Sequence, residues 1–386
     1  MIHHGWLCGA ALLCSLGAPF RVAAADLTSP EPLAKAYELI LDARFDEAER
    51  QIKQACPPAP SPACDVIWAV ADYWRLQLDP DNTGGDAALM KRIDAAIAST
   101  DTWTTREPAR AEAWFYLGGA YGTRVLLRGL RSQYLTAARD GKRIHDSLQR
   151  AIKLDSSMGD AYFGLGLYHY YAAVAPRAAR ILSALLLLPG GDRAGGLKEM
   201  EQTRSKGLLL RGEADYQLHL IYLWYERQPM TALRLIEGLV ARYPHNPVFL
   251  LQLAHVQSNY LRTHAEALQT YRTLLDAARA SRVAAPAVAE VSARLGMAQE
   301  MDVLCDTAGA IEQLRAVIAQ RPAAPYAALA RAQFQLGVAL DRAGRRSEAV
   351  RAYRDALSSI PHDDRLRIGE KARAAIRRTP TARACR

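Results

Sequence analysis

Residues 114–121 read Trp-Phe-Tyr-Leu-Gly-Gly-Ala-Tyr, and this stretch decides how the rest of the chain is interpreted. Trp114, Leu117, Gly118 and Tyr121 are spaced so that they share one face of a helix. A glycine within a helix costs about 1 kcal/mol relative to alanine. We therefore predict that a second helix packs against Gly118 too closely for a side chain. A single copy of the pattern would also suit an ordinary amphipathic core helix.

The pattern recurs, and recurrence favours a repeat architecture. Residues 162–169 repeat the opening, with Gly166 in the place of Gly118 and a histidine in the last position. A complementary pattern, alanine-x₃-apolar-x₂-apolar, is typical of the second helix of each unit and begins at Ala232, Ala267, Ala310 and Ala349. Proline follows in three of these four units and blocks continuation of the helix.

Two insertions interrupt the middle repeats. Residues 124–140 carry apolar positions between arginines and predict a lengthened helix hairpin. The second insertion, 176–196, contains the apolar run 181–188 and then a glycine-rich turn. That turn lacks the Lys-Ser/Thr of a phosphate-binding loop, and no strand pattern precedes it. A basic helix near 365–378 is predicted to cap the stack, because a repeat array needs an end that tolerates water.

Composition indicates a folded chain with a positive balance. Half of the 386 residues are hydrophobic, 23% are charged, and the formal net charge is +9. Arginines and lysines are dense in 124–150 and again in 365–386. Such surfaces can attract acidic proteins, anionic lipid or nucleic acid, although solvated helix faces explain them equally well. No nucleic-acid-binding motif accompanies the charge, so we expect no nucleic acid partner.

The first 25 residues resemble a secretory signal peptide. An apolar run from Trp6 to Leu16 is too short to span a bilayer, and Ala23-Ala24-Ala25 offers a small-residue cleavage site. No lysine or arginine precedes the run, which departs from the usual pattern and leaves an uncleaved anchor as the alternative. We expect cleavage near Ala25 and a periplasmic or secreted protein.

Four cysteines remain after the predicted signal, which suits an oxidising compartment. Cys56 and Cys64 bracket a proline-rich loop, and we predict a disulfide between them. Cys305 and Cys385 are a possible second pair only as the remainder. No cysteine or histidine spacing indicates a metal site, and no cofactor is expected.

These spacings, from about residue 33 to 361, resemble the tetratricopeptide repeat (TPR) superfamily, in an exported bacterial subgroup. The resemblance implies an all-α fold, an α-solenoid of stacked TPR-like helix hairpins with two insertions in the middle repeats. The predicted divisions are a signal peptide, N-terminal repeats, two repeats with insertions, C-terminal repeats, and a basic capping helix with a tail: 1–25, 26–110, 111–212, 213–361 and 362–386.

The resemblance also implies a partner-binding groove, since first helices of TPR units line the concave face. The flanking positions form an aromatic-rich set suited to a protein or peptide, although several could instead be core residues: Phe115, Tyr116, Phe163, Tyr170, Tyr171, Gln217, Trp224 and Tyr225.

Three functions follow from these features. The first is a non-enzymatic scaffold that binds a protein or peptide in the cell envelope. The alternative is docking to a membrane surface or membrane protein through Ile181, Leu185 and Leu188 with the nearby arginines. An enzyme is the third, but no catalytic motif stands out, so none is expected.

Overall fold

A computed structural model describes residues 27–175 and 190–378, and it is helical throughout these ranges with no strand. The described chain begins with four successive pairs of packed helices, here called hairpins. Their helices are α1 (Pro30–Leu41), α2 (Phe45–Ala55), α3 (Ser61–Leu76), α4 (Asp86–Arg106), α5 (Ala111–Leu130), α6 (Tyr134–Leu154), α7 (Ala161–Val174) and α8 (Arg193–Lys206).

Four further hairpins and a last single helix complete the described chain. They are α9 (Arg211–Trp224), α10 (Pro229–Arg242), α11 (Pro247–His255), α12 (His264–Arg279), α13 (Pro286–Val303), α14 (Thr307–Gln320), α15 (Ala328–Arg342), α16 (Arg346–Ser359) and α17 (Ile368–Arg377). A π-helical turn, Val256–Leu261, extends α11. Each helix packs mainly on its neighbours in the chain, so the predicted α-solenoid of TPR-like hairpins is confirmed.

Close contacts at glycine explain why the motif carries this residue. A Cβ atom on Gly118 of α5 would lie 2.6 Å from Leu148 Cδ2 of α6. A Cβ on Gly337 of α15 would lie 2.4 Å from Tyr353 Cε1 of α16. The two helices of a hairpin can therefore approach only where the first carries no side chain, as predicted for Gly118.

The first insertion is a lengthened hairpin, as predicted. Helices α5 and α6 have 20 and 21 residues, which makes them longer than the 14-residue α9 and α10. At the end of the second insertion, Asp192 caps α8 by accepting a hydrogen bond from Gly195 N. The last two glycines of 190–196 therefore belong to the first turn of a helix, where a turn between helices was predicted.

Covalent or polar contacts stabilise the helices near both ends of the stack. A disulfide joins Cys56 to Cys64, as predicted, and closes the loop between α2 and α3. At the other end, α17 lies within the predicted basic helix. The Arg346 guanidinium donates to the carbonyls of Ala375 and Ile376 at 3.1 and 2.6 Å, which satisfies groups that a helix end leaves unpaired.

The N-terminal hairpins pack onto the inner face of the later repeats. Trp74 of α3 is buried, and its ring lies 5.0 Å from Tyr216 of α9 and 5.7 Å from Phe249 of α11, between ring centroids. Its indole Nε1 donates to Glu213 Oε2 at 3.0 Å. The Tyr37 hydroxyl donates to the same oxygen at 3.4 Å. Residues far apart in sequence thus share one core.

Hydrogen bonds also join the N-terminal hairpins to the later repeats at other places. Asn246 Nδ2 donates to Leu41 O at 2.7 Å, and the backbone N of His245 donates to Asp42 Oδ1 at 3.0 Å. The loop between α3 and α4 reaches the far end of the stack. There Asp79 accepts two hydrogen bonds, at 2.9 and 3.1 Å, from the backbone N of Tyr326.

Glu213 and His219, both on α9, are buried ionisable groups beside this closure. Burial raises the pKa of the Glu213 carboxyl, and hydrogen bonds from Gln217, Trp74 and Tyr37 oppose that rise. Burial lowers the pKa of His219 to about 4, against a smaller opposing effect of the Tyr216 carbonyl. His219 is therefore neutral in the folded protein near pH 7.

Some predictions fall outside the described residues. They are the signal peptide at 1–25, the partner of Cys305 at Cys385, and the docking residues Ile181, Leu185 and Leu188. Within 27–175 and 190–378, no helix combines the length and the apolar character that crossing a membrane requires. The division of the chain at residues 110, 212 and 361 stays a prediction.

Gly166→Ala is expected to destabilise the protein. The added Cβ would lie 2.7 Å from the Gly196 carbonyl oxygen and 2.8 Å from Met200 Cγ, so α7 and α8 must separate. We expect a loss of about 1–3 kcal/mol in the free energy of unfolding, measured in urea. Gly238→Ala is the matched control, because no atom lies within 4 Å of its Cβ position. It should stabilise by about 0.5–1 kcal/mol, and equal effects of both changes would refute the close contact.

His219→Phe is expected to flatten the loss of stability in acid. Because the folded pKa of His219 is depressed to about 4, its contribution is complete above the unfolded value of 6.5 and is lost as pH falls toward 4. Between pH 6.5 and 4, the free energy of unfolding of the wild type should fall by roughly 3 kcal/mol more than that of the variant. Glu213 contributes equally to both curves. Parallel curves from urea unfolding at pH 7 to 4 would show that His219 is not buried and neutral.

Candidate functional site

Five of the eight residues predicted to bind a partner lie in the core. Phe115, Tyr116, Phe163, Tyr170 and Gln217 are all buried. They are not available to a ligand in this structure, which corrects their assignment to an open groove. Trp224 and Tyr225 are 50% and 45% exposed, and Tyr171 is half-buried, so for these three the predicted role stays a prediction.

Neighbouring helices cover positions that would otherwise face the groove. Trp103 of α4 stacks on Tyr116 at 6.4 Å between ring centroids. Gln217 donates to Glu213 Oε1 at 3.2 Å, beneath α1 and α3. Phe163 and Tyr170 pack with residues of α8 and α9. The N-terminal hairpins and the neighbouring helices occupy the space opposite these residues.

Two of the remaining aromatic residues, Tyr171 and Tyr225, pack on the buried Tyr170 in a compact group, here called the tyrosine cluster. Their ring centroids are 5.5 to 6.0 Å apart, with interplanar angles of 77° to 88°. Edge-to-face pairs of this kind are favourable beyond the area that they bury. Tyr170 is the buried base of the cluster, and the other two rings reach the surface.

A polar network holds the base of the cluster in place. The Tyr170 hydroxyl and the Arg193 guanidinium both donate to the Glu226 carboxylate, with Arg193 Nε at 2.8 Å. The hydrogen bond from Arg193 lowers the pKa of Glu226, so the carboxylate is ionised at neutral pH. The tyrosine cluster is therefore a rigid surface built on paired charges.

Sequence analysis missed two exposed apolar residues at this end of the molecule. Tyr134 and Leu135, at the start of α6, are 69% and 70% exposed. Burial raises the pKa of Tyr225, and an electrostatic effect of Tyr134 adds to that rise. Tyr134 and Leu135 belong to the apolar positions of 124–140, and nothing in that spacing distinguishes an exposed residue from a core residue.

The arginines of 124–150 are largely engaged within the chain. Arg124 and Arg128 donate to the buried Asp140 carboxylate, and Arg131 pairs with Asp86 at 2.6 Å. These three side chains are 15–20% exposed. Among the described residues, Arg139, Arg143 and Arg150 make no ion pair. The basic surface available to a lipid headgroup is thus smaller than the sequence suggests.

The described ranges offer no candidate metal site. No group of three or more histidine, cysteine or acidic side chains in 27–175 and 190–378 could hold a metal ion. The His169 ring, which replaces the expected aromatic residue, lies 2.7 Å from Glu199. That contact joins α7 to α8, so His169 acts in packing between the two helices.

Comparisons with known proteins assign the chain to no family. No family model matches the chain, and no curated protein matches it. Among solved structures, the chain is similar to the APC/C Cut9–Hcn1 hetero-tetramer, with 11% identity, a TM-score of 0.49, and coverage of 89% of this chain and 55% of the other. The chain therefore spans about half the length of that relative.

Two further structures cover most of both chains. Yeast Tom70 has 11% identity and a TM-score of 0.42 over 89% of this chain and 81% of the other. A human IFIT1 dimer with m7Gppp-AAAA has 12% identity and a TM-score of 0.40 over 91% and 85%. These similarities concern helical architecture alone. The protein has the fold of a TPR-like solenoid.

Proposed function

We propose that this protein is a non-enzymatic scaffold that binds a protein or peptide partner in the cell envelope, and that the partner docks on the tyrosine cluster. The observation that carries the proposal is the exposed Tyr225, which packs on the half-buried Tyr171 above a base fixed by the Tyr170–Glu226–Arg193 network. Tyrosine supplies a large contact area with little conformational freedom to lose, which is why it is enriched in binding hot spots.

Neighbouring residues support a binding surface larger than three rings. Trp224 precedes Tyr225 in the chain, and Tyr134 and Leu135 stand exposed at the start of α6. Exposed apolar groups that lie close together are typical of interaction sites, whereas scattered ones are ordinary. The envelope location rests on the signal-like segment before Ala25 and on the Cys56–Cys64 disulfide, which favours an oxidising compartment.

The expectation that no nucleic acid binds lacks support and stays a prediction. The IFIT1 structure holds an RNA-like ligand, m7Gppp-AAAA, on a chain of similar architecture. At the tyrosine cluster, Arg193 is already paired with Glu226, so the cluster offers little free positive charge for phosphates. A protein partner fits this surface better.

Replacing Tyr171 and Tyr225 by alanine together should reduce partner capture about tenfold or more. The measurement is quantitative mass spectrometry of proteins cross-linked to the tagged full-length chain in its own cells. Tyr260→Ala is the matched control, because Tyr260 is 40% exposed but lies on the π-helical turn, where its ring contacts His255.

We expect one set of envelope proteins to be captured by the wild type and by Tyr260→Ala, and lost from the double variant. Capture of the same proteins at the same level by the double variant would refute the tyrosine cluster as the docking site. Loss of capture by both the double variant and Tyr260→Ala would point to a general defect and also count against the tyrosine cluster.

A further inference from the structure

A cavity of about 250 Å³ lies on the inner face, away from the tyrosine cluster. Its walls come from α11, α13 and α15, the first helices of three successive hairpins, and from the loop between α3 and α4. The contact of Asp79 with the backbone N of Tyr326 holds that loop over the cavity. The cavity therefore exists only because the chain closes on itself.

On each helix that lines the cavity, the lining residues share one helix face. Arg331 and Gln335 are one turn apart on α15, and Leu295 and Gln299 are one turn apart on α13. The Tyr271 ring of α12 packs against Gly296 of α13, where a side chain would collide with it, and also lines the cavity. The walls thus combine apolar side chains such as Leu295 with amide and charged groups.

Polar groups in the cavity lack partners. Gln77 Nε2 and Gln335 Oε1 are buried and have no hydrogen bond within the described chain. Over residues 27–175 and 190–378, the Arg331 guanidinium also makes no hydrogen bond or ion pair, unlike the paired arginines of α5. Buried polar groups are satisfied in most native structures, so unpaired donors and acceptors at one place call for a ligand or water.

The charges around the cavity have both signs. Burial lowers the pKa of Arg331, and the nearby carboxylates of Asp81 and Asp79 oppose that effect. Neither carboxylate lies within ion-pair distance of Arg331 in this part of the chain. A cation and two anions therefore face the same space without meeting each other.

We propose that this cavity binds a small zwitterion of the size of an amino acid or dipeptide. Its carboxylate would receive the planar donors of Arg331, which match carboxylate geometry. Its ammonium group would lie toward Asp81 and Asp79. The peptide or side-chain amide would pair with the free donor of Gln77 and the free acceptor of Gln335.

Size and charge select this class over others. Drug-sized ligands occupy cavities of about 300–1,000 Å³, so this one suits a smaller molecule. One arginine facing two aspartates disfavours a phosphate or dicarboxylate, because the second negative charge would meet the aspartates. A purely apolar ligand would leave the buried amides unpaired. A zwitterion satisfies both signs and the amides together.

The test uses isothermal titration calorimetry of the full-length chain with L-alanyl-L-alanine as the probe. Two blocked forms, N-acetyl-L-alanyl-L-alanine and L-alanyl-L-alaninamide, each remove one charge without changing the protein. We expect the free dipeptide to bind and each blocked form to bind about tenfold more weakly or worse, since one charge-assisted contact is lost.

Arg331→Gln should remove the preference for a free carboxylate, and Asp81→Asn should weaken the preference for a free amine. Arg315→Gln is the matched control, because Arg315 is exposed on α14 outside the cavity, and it should bind like the wild type. Absence of dipeptide binding up to about 10 mM would overturn the proposal. Equal affinity for free and blocked forms would overturn it as well, and so would an unchanged carboxylate preference in Arg331→Gln.

Discussion

The buried carboxylate of Glu213 is the contact on which the inner face depends. It accepts hydrogen bonds from Trp74, Tyr37 and Gln217, and the first two donors belong to the N-terminal hairpins. A buried carboxylate without such partners would cost several kcal/mol, and the buried Trp74 indole would lose its acceptor. Separating the N-terminal hairpins from α9 would therefore leave buried polar groups unpaired on both surfaces.

This closure changes what the solenoid can bind. In an open stack the first helices would present one continuous concave groove, but here the rings of Trp74, Tyr216 and Phe249 fill its middle. Among the described residues, two regions beside this filled middle are candidates for binding. One is the tyrosine cluster at the ends of α7 and α9, and the other is the cavity beneath the loop that carries Asp79. The first suits a macromolecular partner and the second a small molecule, so the two proposals are independent.

Local spacing predicted the repeat units because it reports directly on packing between neighbouring helices. Gly118 predicted a closely packed second helix, and that helix is α6, which contacts Gly118 through Leu148. Cys56 and Cys64 bracket a short loop, and they are joined. The groove residues could not be predicted in the same way. Gln217 occupies a flanking position by spacing, but its burial under α1 and α3 depends on superhelix curvature, which sums small angles over many hairpins. Arg331 carried no sequence signal, because its lack of a partner is a property of the closed form.

A double-mutant cycle between Trp74 and Glu213 tests the closure most directly. These residues are far apart in sequence and meet only if the N-terminal hairpins pack on α9, with 3.0 Å between Nε1 and Oε2. Urea unfolding of Trp74→Phe, Glu213→Leu and the double variant gives their coupling free energy. The closed structure predicts a coupling of roughly 1.5–3 kcal/mol, as for a hydrogen bond to a charged group. Additivity within about 0.5 kcal/mol would show that the two side chains do not interact and would contradict the closed inner face.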